Sequence, residues 1–149
     1  MARQLQLPDL AATERLAART AQRTRPGDAI LLEGPLGAGK SAFARAFLRT
    51  ATGKAGLEVP SPTFTLVQSY DTPRFRVHHF DLWRLVGPAA LEELGWDEAV
   101  RDVVLVEWPD RLGALRPYDA LTVTLDTAHS EDSRMATLDG WPDRLAALL

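Results

Sequence analysis

Eight consecutive residues, Gly34-Pro35-Leu36-Gly37-Ala38-Gly39-Lys40-Ser41, satisfy the spacing G-x-x-x-x-G-K-[ST]. Each residue type in that pattern has a task in holding a phosphate. Glycines let successive backbone N–H groups curl around the anion, and a helix that starts at the loop adds about half a positive charge at its N-terminus. The lysine ammonium neutralises outer phosphate oxygens, and the serine hydroxyl is offered to a Mg2+ ion. A charge-assisted contact such as that of Lys40 is worth about 1.5–3 kcal/mol. Of the 17 basic residues only Lys40 and Lys54 are lysine, the rest being arginine, so a lysine retained in this loop calls for a chemical reason. Lys54 has no comparable neighbourhood and reads as a solvated loop residue.

Phosphate binding alone is not hydrolysis, which also needs an acid near the metal and a group to orient water. Glu107 ends the apolar run Val103-Val104-Leu105-Val106, which puts its carboxylate at the carboxyl edge of a sheet, where the glycine loop also lies. That is a Walker-B-like placement, although a carboxylate there also suits a cap on the Pro109 turn. Asp81 likewise ends the stretch Phe75–Phe80, as a second acid for the metal or as a partner for Arg84. Trp108 follows Glu107 and either covers a nucleotide or packs the core. Ser61-Pro62-Thr63 is either an ordinary turn or a loop whose hydroxyl senses a terminal phosphate. His78 and His79 are adjacent on an expected strand and so face opposite sides, which disfavours a metal-binding pair.

These residues need a scaffold, and hydrophobic periodicity supplies one. Ala29–Leu32 and Val103–Val106 are apolar runs too short for helices and bounded by turn residues, the mark of buried parallel strands. A helix is expected from an N-cap at Pro8-Asp9 to about Arg23, and another from the glycine loop to about Thr50. Gln4–Leu7 alternates like an edge strand; Phe64–Tyr70 and Phe75–Phe80 read as a hairpin or two neighbouring strands across Asp71–Arg74. Pro88 opens a helix over Ala89–Leu94 that Gly95 ends, with a further turn or two in Trp96–Arg101. Leu121–Leu125 and Arg134–Leu138 form a C-terminal hairpin, and Asp143–Leu149 closes as a short helix. The expected fold is α/β, a P-loop NTPase-like sheet flanked by helices with a C-terminal β-hairpin, in one domain over residues 1–149.

Composition narrows the function. The 149 residues carry 20 acids and 17 bases, a formal charge of -3, which argues against a protein that coats DNA or RNA by phosphate neutralisation. Cysteine is absent, so disulfides, thiolate zinc sites and cysteine nucleophiles are excluded together. No apolar run approaches the roughly 18–20 residues of a membrane span, and Met1–Leu5 lacks the apolar core of a secretory signal, so a cytoplasmic address is expected. Asparagine is absent too, which removes the guanine-selecting N-K-x-D motif and disfavours a GTPase.

The ordered set Leu-Pro-Asp at 7–9, Gly34–Ser41, Ser61-Pro62-Thr63-Phe64-Thr65-Leu66-Val67, His79-Phe80-Asp81-Leu82-Trp83-Arg84-Leu85, Glu92–Gly95 and Val104–Pro109 resembles the TsaE family of tRNA threonylcarbamoyladenosine biosynthesis ATPases. The resemblance covers nearly the whole chain. It implies an ATP- and Mg2+-dependent hydrolase that joins the TsaB–TsaD complex, supports modification of the adenosine beside the tRNA anticodon, and meets tRNA only through that assembly. Carried onto this chain, Gly37, Ala38, Gly39, Lys40, Ser41 and Ala42 hold phosphates, Ser41 and Glu107 hold the metal, and Asp81 is an essential acid near the metal or water. Trp108 lies beside the nucleotide, Thr63 belongs to a switch-like loop, and the backbone of Leu10 reaches the base pocket. Ser41 stands where threonine is commoner and keeps the hydroxyl; Trp83 stands where the family has tyrosine, so no phenol acts there. The arginine-bearing turn of the C-terminal hairpin matches poorly, and Arg134 reads as a solvated surface arginine rather than a phosphate contact. A stand-alone small-molecule kinase and a non-hydrolysing nucleotide-gated binding module are the competing readings.

Overall fold

The computed structural model describes residues 2–149. Its elements are β1 (Arg3–Leu7), α1 (Leu10–Arg23), β2 (Ala29–Glu33), α2 (Lys40–Thr52), β3 (Val67–Asp71), β4 (Arg76–Asp81), α3 (Trp96–Ala99), β5 (Val103–Glu107), β6 (Leu121–Thr127), β7 (Arg134–Asp139) and α4 (Leu145–Leu148), with 3-10 helices at Pro88–Leu94 and Pro109–Leu115. The strands form one seven-stranded sheet in the order β1-β7-β6-β2-β5-β4-β3. Its centre, β6-β2-β5-β4, is parallel, and the outer pairs β1-β7, β7-β6 and β4-β3 are antiparallel.

Strand periodicity sorts the core into two layers. Val77, Val103, Leu105, Ile30 and Leu32 face the side of α1 and α2, where they meet Leu16, Phe43, Phe47 and Leu48. Their neighbours Phe80, Val104, Val106 and Leu31 face the other side and pack with Leu91, Trp96 and Leu112 from the short helical turns. All five residues of β5 are buried, as a central parallel strand covered on both faces requires. The Asp9 side chain accepts a hydrogen bond from the Ala12 N–H at 2.8 Å and caps α1 as expected.

Four elements depart from expectation. The strand expected from Phe64 starts only at Val67, because the Leu66 N–H turns back to the Pro62 carbonyl at 2.6 Å and Leu66 takes a left-handed φ of 68°. Residues 61–66 thereby become a loop over the carboxyl edge of the sheet. The helix expected over Ala89–Leu94 winds as a 3-10 helix, and the turn expected at Pro109 extends over Pro109–Leu115 as two 3-10 turns separated by a kink at Gly113, where φ is 54°. The C-terminal helix is confined to Leu145–Leu148.

Candidate functional site

The site assembles where β2, β4 and β5 end. β2 delivers Gly34, α2 begins at Lys40, and the parallel register sets Asp81 of β4 directly opposite Glu107 of β5. Asp81 and Glu107 share a face with Val77, Val103 and Leu105, which is the face α2 covers, so both acids look toward the helix that carries Ser41. Gly39, in the left-handed region at φ 107°, is the N-cap of α2 and makes no side-chain cap to the first-turn N–H groups.

A cleft of about 440 Å3 lies here, with Gly37, Gly39, Lys40, Ser41 and Ala42 on one wall and Thr63, Asp81, Glu107 and Trp108 on the other. Ala38 is buried beneath the loop. Lys40 is only 5% exposed. Its Nζ donates to the Gly34 carbonyl and, at 3.1 Å, to the Pro35 carbonyl, and sits 3.8 Å from the Trp108 ring centroid. Burial pulls the ammonium below the ordinary lysine range, opposed by the charges of Glu107, Asp81 and Asp110. An ammonium held by carbonyls and an aromatic face has partners that phosphate oxygens replace with gain.

The two acids have different neighbours. Glu107, 3% exposed, accepts from Ser41 Oγ at 3.2 Å through Oε1 and pairs with His79 Nε2 at 2.7 Å through Oε2. The Pro109 turn therefore does not use this carboxylate. Asp81, 6% exposed, accepts from the Trp83 N–H at 3.1 Å and from Thr63 Oγ1 at 3.4 Å, while Thr63 and Ser61 share a hydrogen bond of 2.6 Å. Oxygen donors from Ser41 and Glu107, with a second carboxylate opposite, suit a hard cation such as Mg2+, which takes one or two protein ligands and completes its shell with water and phosphate. Trp108 adopts φ 60° and packs against Trp83 at 4.4 Å between centroids with the rings inclined by 46°, so it lines the cleft and packs at once. His78 and His79 do face opposite ways: His78 pairs with Ser69 and Asp102 on the far face.

One expected placement changes. Arg134 is not a solvated surface arginine: its Nε and Nη2 donate to the carbonyls of Ala38 and Gly37 at 3.0 and 3.1 Å, clamping the glycine loop from below. Leu10 opens α1 half exposed and does not line this cleft. Its neighbours Leu7 and Pro8 line a separate cavity of about 220 Å3 with Ala128, Arg134 and Met135. Sequence reasoning missed the pairing of His79 with Glu107 and the loop clamp by Arg134; for His79 the signal was its i, i+2 spacing from Asp81 on one strand face.

A glycine loop between a central parallel strand and a helix, with two strand-end acids beside it, defines an α/β protein with a P-loop NTPase-like sheet. Comparison with known proteins narrows the class. Residues 7–136 match the family model described as threonylcarbamoyl adenosine biosynthesis protein TsaE. The chain is 40% identical to the tRNA threonylcarbamoyladenosine biosynthesis protein TsaE of Rickettsia prowazekii over 76% of this chain and 78% of that one. It is 33% identical to the protein of the same name from Bacillus subtilis, over 91% and 84% of the two chains. The crystal structure of YdiB from Bacillus subtilis superposes with a TM-score of 0.78 at 26% identity, covering 99% of this chain and 91% of that one. The chain belongs to the TsaE family.

Proposed function

We propose that this chain is a Mg2+-dependent ATP hydrolase of the cytoplasm that works with the TsaB–TsaD complex in threonylcarbamoyladenosine modification of tRNA. The observation that carries the reading is the Ser41–Glu107 pair, 3.2 Å apart across the junction of the glycine loop and β5, where a serine hydroxyl and a strand-end carboxylate share one cation in P-loop hydrolases. Lys40 releases the Gly34 and Pro35 carbonyls and turns to the outer phosphate oxygens, while the first-turn N–H groups of α2 cradle the inner ones. Ser41 and Glu107 hold the metal, and Asp81, steadied by Thr63, orients the attacking water. Bound Mg2+ supplies neutralisation of the charge that develops on the phosphates. The loop of residues 61–66, tied to Asp81 by its hydroxyls, is the element that reports which phosphates are present.

Family membership supports the role in tRNA modification, and the acidic balance of the chain supports an indirect meeting with tRNA. The test is steady-state ATP hydrolysis with and without TsaB, TsaD and tRNA. A rate raised by the partners and abolished in Lys40→Ala and Glu107→Ala is the expected result. Partner-independent turnover, or phosphate delivered to a second substrate instead of water, overturns the accessory-hydrolase reading in favour of a stand-alone enzyme.

A further inference from the structure

Buried histidines of an apolar layer ordinarily have both ring nitrogens satisfied, and His79 does not. It is 2% exposed on the α2-facing side of β4, its Nε2 lies 2.7 Å from Glu107 Oε2, and its Nδ1 is buried without a partner among the described residues. A leucine or methionine would fill this position in the layer of Val77, Val103 and Leu105 without stranding a polar atom. The register explains the reach: His79 is opposite Leu105, so its ring crosses diagonally to Glu107, two residues further along β5 on the same face. A carboxylate offers only lone pairs, so Nε2 carries the hydrogen and donates it.

We propose that His79 is the positioning residue of the metal site: its Nε2–H fixes Glu107 Oε2, so that Oε1 is presented at Ser41 and the cation meets a preset ligand. The inference rests on the reading of Ser41 and Glu107 as metal ligands. Glu107 has one oxygen for the metal and one for the fold, and His79 determines which is which. Asp81 has no such anchor inside the sheet; its partners are the Trp83 backbone and the Thr63 hydroxyl of a surface loop. Outer hydrogen bonds of this kind set metal affinity by about 10- to 100-fold.

The test uses the full chain with ADP and Mn2+, reading metal binding by electron paramagnetic resonance and nucleotide binding in EDTA by calorimetry. His79→Met, which keeps the volume and removes the donor, is expected to weaken Mn2+ binding by about tenfold or more with metal-free ADP affinity unchanged. His79→Gln, whose amide supplies an N–H at a similar reach, is expected to restore Mn2+ affinity to within about threefold. Equal loss in His79→Met and His79→Gln makes the role one of packing and overturns the proposal, as does unchanged affinity in both. Glu107→Gln separates the two readings: if it too leaves Mn2+ binding unaltered, the assignment of the metal ligands fails, not merely that of His79. Should His79→Met fold poorly, the wild-type protein still decides. Its imidazole nitrogen spectrum is expected to show the Nε2-protonated tautomer, with the Nε2–H resonance displaced in Glu107→Gln; an Nδ1-protonated ring overturns the proposal.

Discussion

An ammonium 5% exposed is expensive, and among the described residues Lys40 has no carboxylate within ion-pair distance. Its lowered pKa arises chiefly from burial. Between that lowered value and the ordinary 10.5 the folded protein binds fewer protons than the unfolded chain, so the stability contribution of Lys40 rises with pH across this interval. Phosphate favours the charged form, so on the proposed reading ATP binding is expected to take up a proton there. ATP affinity is expected to fall as pH rises through the lowered pKa, starting below the pH at which an ordinary lysine titrates, and calorimetry of wild type against Lys40→Met checks this. The methionine variant should bind weakly with no corresponding fall. The acids divide at the same scale. Asp81→Asn should cut kcat by about 10²- to 10⁴-fold while leaving the Mg2+ half-saturation within threefold, whereas Glu107→Gln should raise that half-saturation by about tenfold or more. Lys40, Ser41, Asp81 and Glu107 were legible in the sequence because a spacing or a strand end announces each. The roles of His79 and Arg134 were not: one depends on a diagonal across two strands, the other on a hairpin 96 residues from the carbonyl it clamps.

At the scale of elements, the loop between β2 and α2 is held by what lies beneath it. Gly34, at φ 137°, has no room for a side chain because a Cβ would overlap the Leu125 carbonyl oxygen of β6. Gly37 is also left-handed, at φ 79°, but a Cβ added there would meet nothing within 4 Å. Gly37→Ala should therefore cost only the left-handed strain, about 1–2 kcal/mol. Gly34→Ala should cost that plus a displaced strand backbone, about 3 kcal/mol or more in urea unfolding, and should weaken ATP binding at least tenfold. Equal destabilisation by the two would mean that β6 does not support the loop. The sequence revealed β2 and β5 because a continuous apolar run has few other structural outcomes. It concealed the start of β3, where Leu66 adopts a left-handed φ that its residue type disfavours, and the helical turns over Pro109–Leu115, which break at Gly113 and are too short for a period to show.

Across the whole molecule the two faces of the sheet are unequally covered. Two full helices, α1 and α2, lie on one side, and short helical turns cover the other. The site lies at the carboxyl end of β2, while an ion pair ties the opposite end: Asp28, just before β2, meets Arg144 Nη1 and Nη2 at 2.7 and 3.1 Å. The Arg144 and Asp28 side chains are 12% and 15% exposed respectively, and Arg144 also donates to the Arg23 carbonyl at 2.7 Å and lies 4.0 Å from the Trp141 ring centroid. One guanidinium thus joins the end of α1, the start of β2 and the C-terminal segment. Arg144→Met leaves Asp28 without its bidentate partner and should destabilise the protein by about 2 kcal/mol, lowering Tm by about 4–8 °C. The five residues of β2 separate this tie from the glycine loop by about 17 Å, beyond the range at which substitutions couple strongly. ATP affinity should therefore remain within about twofold of wild type at 25 °C. If affinity falls in step with Tm, β2 transmits strain from one end to the other, and the loop is set by the stability of the whole sheet rather than by Gly34 and Arg134.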